Sequence, residues 1–149
     1  MNIALGSDHA GFILKESIAR HLENSDLTFK DFGVFSEDSV DYPDLAKLVA
    51  SAVQAGECSC GILICGTGIG MSIAANKHSG IRAALCGDTY SAHCAREHND
   101  ANILTMGSRV VGFGLAADII DVYLKTHFEG GRHSNRLYKI TLLEEYQRS

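Results

Sequence analysis

An apolar run, Gly61-Ile62-Leu63-Ile64-Cys65, opens at once into glycines at every second position, Gly66-Thr67-Gly68-Ile69-Gly70. A strand that is apolar at consecutive rather than alternate positions must be covered on both faces, which is the habit of parallel sheets. Parallel neighbours need long crossover connections, so helices are required on either side of this run. The glycines read as a turn whose backbone N–H groups can close around an anion before a helix begins at about Met71. A thiol thus stands at a strand end beside an anion cradle, an arrangement that points to an enzyme acting on a phosphorylated or enolate-forming substrate.

The rest of the chain repeats the alternation. Strands are expected over residues 2–6, 27–32, 61–64, 81–86 and 102–106. Helices are expected over 12–22, 45–55, 71–77, 89–97 and 132–146, with a long one marked by Val111, Leu115, Ile119, Val122 and Phe128. This pattern predicts an α/β fold, a five-stranded parallel sheet with helices on both faces in three Rossmann-like layers. With 149 residues, 46% of them hydrophobic, and no repeat, linker or low-complexity stretch, one domain over 1–149 is expected.

Charge and cysteine usage narrow the function classes. The net charge of −5 comes from scattered acidic residues, without the basic footprint of a nucleic-acid binder or a membrane-surface helix. No apolar run approaches the ~20 residues needed to cross a bilayer, and the start of the chain does not read as a signal peptide. A cytoplasmic protein with small-molecule partners, or with copies of itself as partner, is the expectation. The five cysteines (58, 60, 65, 86 and 94) suggest free thiols rather than disulfides, and Cys58, Cys60 and Cys65 lack the further ligands of a tetrahedral metal set, so no metal is expected.

Ligands of open α/β sheets bind beyond the carboxyl ends of the strands. Three polar clusters follow strand ends here: Asp8-His9, Cys65-Gly66-Thr67-Gly68 and Ser108-Arg109. Asp8 or Ser7 could instead simply cap the first helix. The glycine loop is not a dinucleotide fingerprint, because Met71 stands where the third glycine or alanine would be, and it lacks the Gly-Lys-Ser/Thr of a P-loop. A tight turn without ligand remains the plain alternative. Cys65 could be a buried small hydrophobe, but amide N–H groups at a helix start would favour its thiolate, able to act as a base, and Thr67 is close enough to donate to the sulfur or to substrate. Arg132 and Arg136 share one helical face at a helix N-terminus, where cations oppose the macrodipole unless an anion is bound, or else form a solvated basic face. His98, between the fourth helix and the fifth strand, falls at the amino edge of the sheet, away from Cys65. If it is catalytic it serves a neighbouring subunit, and otherwise it interacts with the end of its own helix.

Taken together, Ser7-Asp8-His9-Ala10-Gly11, Asp41-Tyr42-Pro43, Gly61 through Gly70, Ser72-Ile73-Ala74-Ala75-Asn76-Lys77, Glu97-His98-Asn99-Asp100-Ala101-Asn102, Gly107-Ser108-Arg109-Val110-Val111 and Glu129-Gly130-Gly131-Arg132-His133 resemble the type B ribose-5-phosphate isomerases. The wider family also holds galactose-6-phosphate and allose-6-phosphate isomerases. The resemblance covers nearly the whole chain. It implies interconversion of ribose 5-phosphate and ribulose 5-phosphate through an enediolate, in the non-oxidative pentose phosphate pathway and with no cofactor.

On that resemblance, Cys65 is the base, His98 assists ring opening and Thr67 joins them in the catalytic set. The amides from Gly66 through Gly68 and Ile69 to Gly70 stabilise the enediolate oxygen. Asp8 and Asn99 bind sugar oxygens, while His9, Arg109, Arg132 and Arg136 hold the phosphate. Some members use a nearby glutamate instead of the cysteine; Ile69, Gly70 and Met71 here match the cysteine form. The resemblance further implies homodimers or dimers of dimers, with active sites shared between subunits and a C-terminal helix reaching the partner. A six-carbon sugar-phosphate isomerase and a non-catalytic sugar-phosphate binding module stand as alternatives.

Overall fold

In the computed structural model, residues 1–25 and 27–146 are described. Eleven elements alternate along them: β1 (Asn2–Ser7), α1 (Phe12–Asn24), β2 (Thr28–Asp31), α2 (Tyr42–Gln54), β3 (Cys60–Cys65), α3 (Ile69–Ala75), β4 (Ala83–Leu85), α4 (Thr89–Glu97), β5 (Ile103–Gly107), α5 (Phe113–Lys125) and α6 (Arg132–Tyr146). All five strands are parallel, in the order β2-β1-β3-β5-β4. From β1 the chain moves to one side, and from β3 to the other. The reversal lies between β1 and β3, and a crevice opens at the carboxyl ends of strands where such a reversal occurs.

Every residue of β3 is buried, as its unbroken apolar run demands. Ile62 and Ile64 point into one core with Leu14 and Ile18 of α1, Ala92 of α4, and Ile119, Ile120 and Tyr123 of α5. Leu63 and Cys65 point into the other, with Val49 and Ala50 of α2 and Met71 and Ala75 of α3. Each fully buried Ile or Leu stabilises the fold by about 1.5–3 kcal/mol, so the two layers are held by the same strand from opposite faces. Lys15, wholly buried, joins α1 to β2: its ammonium donates to Asp31 and, at 2.8 Å, to Glu16. A charge without solvent must be paired in this way.

α6 leaves this body. Of its residues only His133 is buried, and Tyr138, Ile140, Leu142, Leu143 and Tyr146 are exposed. Glu144 ties it back by accepting from Ser79 Oγ at 3.0 Å and from the Gly80 N–H.

Several boundaries differ from the expectation. α2 starts at Tyr42 because Pro43 is accommodated in the first turn, where its missing N–H leaves no helical bond unmade. α3 begins at Ile69, as soon as the left-handed Gly68 has turned the chain. β4 shrinks to three residues, since the Arg82 N–H is taken by Asn102 Oδ1 at 2.8 Å. α5 stops at Lys125, with Thr126 extended and its hydroxyl donating to Val122 O at 2.7 Å, so Phe128 lies beyond the helix.

Candidate active site

Three loops meet at the carboxyl edge of the sheet. After β1, the Asp8 N–H donates to Ile64 O at 3.1 Å, and Asp8 Oδ1 accepts from the Gly11 N–H at 3.0 Å. Asp8 therefore closes the turn leading into α1 rather than capping the helix; Gly11 occupies the cap position and no side chain caps it. His9 Nδ1 accepts from the Val40 N–H at 3.2 Å, which orients its ring from the loop that follows β2.

After β3, the Gly68 N–H donates to Cys65 Sγ at 3.1 Å. That contact uses the sulfur as an acceptor. Thr67 Oγ1 accepts from the Ile69 N–H at 3.3 Å, so the hydroxyl shapes the loop rather than bonding to the sulfur. The loop is fixed from below: Thr105 Oγ1 donates to Gly68 O at 3.1 Å, and Gly68, at φ +79°, presses on the backbone of Met106. Gly70 lies under the ring of Tyr42, where a Cβ would come within 2.7 Å of the aromatic carbons. Tyr42 has no signal in the sequence beyond its place in Asp41-Tyr42-Pro43; its position over the loop comes from the packing of α2 on α3.

After β5, the Ser108 N–H donates to Cys65 O at 2.8 Å and the Arg109 N–H to Gly66 O at 3.0 Å. Ser108 Oγ donates to Ala10 O at 2.7 Å, tying this loop to the first. The Arg109 guanidinium passes alongside Gly66, and among the described residues no carboxylate pairs with it. Asp8, His9, Cys65, Gly66 through Gly70, Arg109 and Tyr42 thus share one edge, with a thiol, a set of backbone donors and an unpaired cation.

The remaining candidates lie at the opposite edge. Cys65 pairs with Gly107 at the carboxyl end of the sheet, whereas β5 begins at Ile103, beside Gly61. α4 runs back to that amino end, and His98 caps its C-terminus, with Asn99 next to it. α5 returns there too: the Glu129 N–H donates to Glu97 O at 3.0 Å, and α6 starts with Arg132. On sequence, Arg132 and Arg136 group with His9 and Arg109, but in the chain they belong with His98. Both guanidiniums are exposed at the start of α6, where no acidic residue occupies the first turn. A groove of ≈ 690 Å³ opens at this side between α6 and the body, lined by Asn76, Arg82, Asn99, Leu137, Ile140 and Leu143 among others.

His98, Glu129 and His133 bring ligand-type atoms within 4.8 Å of one another. Their geometry does not suit an ion. The two imidazoles are stacked, centroids 4.4 Å apart and planes only 13° apart. Nearly parallel planes do not meet near their nitrogens, so one ion cannot lie on both in-plane lone pairs.

Comparison with known proteins agrees in sequence and in shape. The family described as Ribose/Galactose Isomerase matches residues 3–140. Ribose-5-phosphate isomerase B of Escherichia coli (strain K12) is 52% identical over 143 residues, 96% of each chain. The Clostridium thermocellum ribose-5-phosphate isomerase B structure superposes with a TM-score of 0.98 at 54% identity, covering 99% of both chains. A Mycoplasma genitalium ribose-5-phosphate isomerase B, solved with bound ribulose 5-phosphate, superposes with a TM-score of 0.92 at 43% identity over 97% of this chain and 96% of that one.

Proposed function

This chain belongs to the ribose/galactose isomerase family, and from that premise we propose that it interconverts ribose 5-phosphate and ribulose 5-phosphate through an enediolate, as an enzyme of the non-oxidative pentose phosphate pathway. The observation that carries the reading is Cys65, a thiol held by the Gly68 N–H at the head of a glycine loop on the crevice between β1 and β3. Relatives named for the five-carbon substrate favour it over the six-carbon phosphates.

In the open-chain aldose, the Cys65 thiolate takes the proton from C2. The electron pair forms the C1–C2 double bond of the enediolate as the carbonyl becomes O1⁻. Backbone N–H groups of the loop face that developing charge; those of Gly70 and Met71, in the first turn of α3, have no acceptor among the described residues. Cys65 returns the proton to C1, O2 gives its proton to O1, and the ketose results with no atom gained or lost. Thr67 supports the loop and keeps its hydroxyl proton for substrate.

His98 acts in opening the furanose ring, and it does so in the site of a second copy. Support for this comes from the division of the candidates between two sheet edges, which one chain cannot bring together. A homodimer built on the apolar face of α6 would place His98, Asn99, Arg132 and Arg136 of one copy beside Asp8, His9, Cys65 and Arg109 of the other. The arginines and His9 then hold the phosphate end, and Asp8 and Asn99 the sugar oxygens. No helix among the described residues is long and apolar enough to cross a membrane, and we place the enzyme in the cytoplasm.

The test is kcat/KM for ribose 5-phosphate against allose 6-phosphate and galactose 6-phosphate, together with deuterium incorporation at C1 of ribulose 5-phosphate in D₂O. Preference for the five-carbon phosphate by at least about tenfold, with incorporation, is expected. A higher value for either hexose phosphate would reassign the substrate. Binding without deuterium incorporation would make the chain a sensor rather than an isomerase.

A further inference from the structure

His133 is 4% exposed, although no other residue of α6 is buried. Enclosing an imidazole at the start of a solvated helix removes it from water and needs compensation. Three contacts supply it: the Arg132 Nε–H donates to Nε2 at 3.5 Å, Glu129 Oε2 lies 3.2 Å from the same nitrogen, and the ring face lies flat on His98, 4.4 Å between centroids. His98 is gripped from its other side. Its Nε2 lies 3.1 Å from Glu97 Oε2, the same oxygen that lies 3.0 Å from His93 Nε2. Glu97 is fixed in turn, because its backbone oxygen accepts from the Glu129 N–H at 3.0 Å.

Because an ionised carboxylate can only accept, Nε2 is the nitrogen beside Glu97 suited to carry the proton when the His98 ring is neutral, which leaves the lone pair on Nδ1. The stack sets the plane of the ring, and the neighbouring carboxylate favours the tautomer protonated on Nε2. We propose that His133 and Glu97 are positioning residues for His98, holding it so that Nδ1 is the atom that opens the furanose ring. The inference rests on the ring-opening role given to His98 above. In that step Nδ1 takes the proton of the anomeric O1–H, the C1–O4 bond breaks as C1=O1 forms, and Nδ1 returns the proton to O4. Orientation matters because the same nitrogen must reach O1 and then O4 within hydrogen-bond distance.

Ribulose 5-phosphate separates this role from a merely structural one. Its O5 is esterified, so it cannot close to a furanose, and exchange of its C1 proton in D₂O needs Cys65 but no ring opening. His133→Ala in the full-length chain should lower kcat on ribose 5-phosphate at least about tenfold, with KM and the ketose C1 exchange rate within about twofold of the parent. His133→Phe, which keeps a flat face against His98, should recover most of that loss. Glu97→Ala should show the same split between aldose turnover and ketose exchange, and it carries the test alone if His133→Ala does not fold. Equal loss of both activities, or no loss of either, in these variants overturns the positioning role. His98→Ala is the control for the underlying reading: if it fails to split turnover from exchange, the ring-opening role itself is wrong. A split in His98→Ala without one in the positioning variants rejects only the proposal made here.

Discussion

Gly68 carries the chain from β3 into α3 at φ +79°, and a Cβ there would sit 2.7 Å from the carbonyl carbon of Met106 and 2.9 Å from its Cα. Neither atom can withdraw, because β5 lies within the sheet with β3 on one side and β4 on the other. Gly68→Ala should therefore displace the N–H that reaches Cys65 Sγ. Urea denaturation should show a loss of about 1–3 kcal/mol, and kcat should fall at least about 100-fold. Gly66→Ala is the contrast. Its Cβ would meet the guanidinium of Arg109 at 3.1 Å, the far end of a flexible side chain. Stability should stay within about 0.5 kcal/mol, while KM rises as the arginine is pushed aside. The thiols divide in the same local way. Burial pushes Cys60 and Cys86 up from 9.0 to about 11, so both stay protonated at neutral pH. Iodoacetamide followed by peptide mass mapping at pH 7.5 should label Cys65 well ahead of them, and sugar phosphate should slow Cys65 alone. Because the folded state holds those two protons more tightly than the unfolded chain, the stability they contribute is complete below pH 9 and is lost as pH rises toward 11. Thermal unfolding across that interval should show Tm falling, less steeply in Cys86→Ala.

The segment from α4 to β5 shows how an element boundary is built, and why it could be read only in part. Asp100 adopts φ 43°, rare for a side chain other than glycine. Arg96 donates to its Oδ1 at 2.9 Å, and Arg82 donates to its Oδ2 at 3.1 Å and its carbonyl at 2.8 Å. Asp100→Ala removes both pairs and leaves an unfavourable backbone, costing about 1–3 kcal/mol by urea midpoint. Asp100→Asn, which tolerates that backbone and still accepts, should cost less than half as much. Helices and strands were legible because each carries its own period. Their ends were less so: Pro43 within the first turn of α2 and Thr126 turning the chain out of α5 are decided by where the next segment must go. The Cys65 loop was legible because its chemistry is contiguous in sequence. His133 against His98 and Tyr42 over Gly70 were not, since each contact joins segments roughly thirty residues apart that only packing brings together.

At the scale of the whole molecule, the constraint is that β3 ends at one edge of the sheet while His98, Arg132 and Arg136 lie at the other. A two-fold relation makes the same patch serve both copies, so one interface would complete two identical sites. The exposed apolar residues of α6 are the natural material for it. Leu143, 64% exposed beside the groove, should when changed to Asp shift sedimentation toward the monomer and abolish turnover together. Loss of turnover from a species that still sediments as a dimer would argue against this surface. The sharper test needs no disruption. Cys65→Ala and His98→Ala subunits are each inactive as homodimers if both groups are required. After exchange at equal concentration, about half the dimers are mixed, and each mixed dimer regains one native site of two, with Cys65 from one copy and His98 from the other. Turnover of ribose 5-phosphate should therefore recover to about a quarter of the parent value. No recovery, with mixed dimers confirmed by native mass spectrometry, would overturn a site shared between two copies.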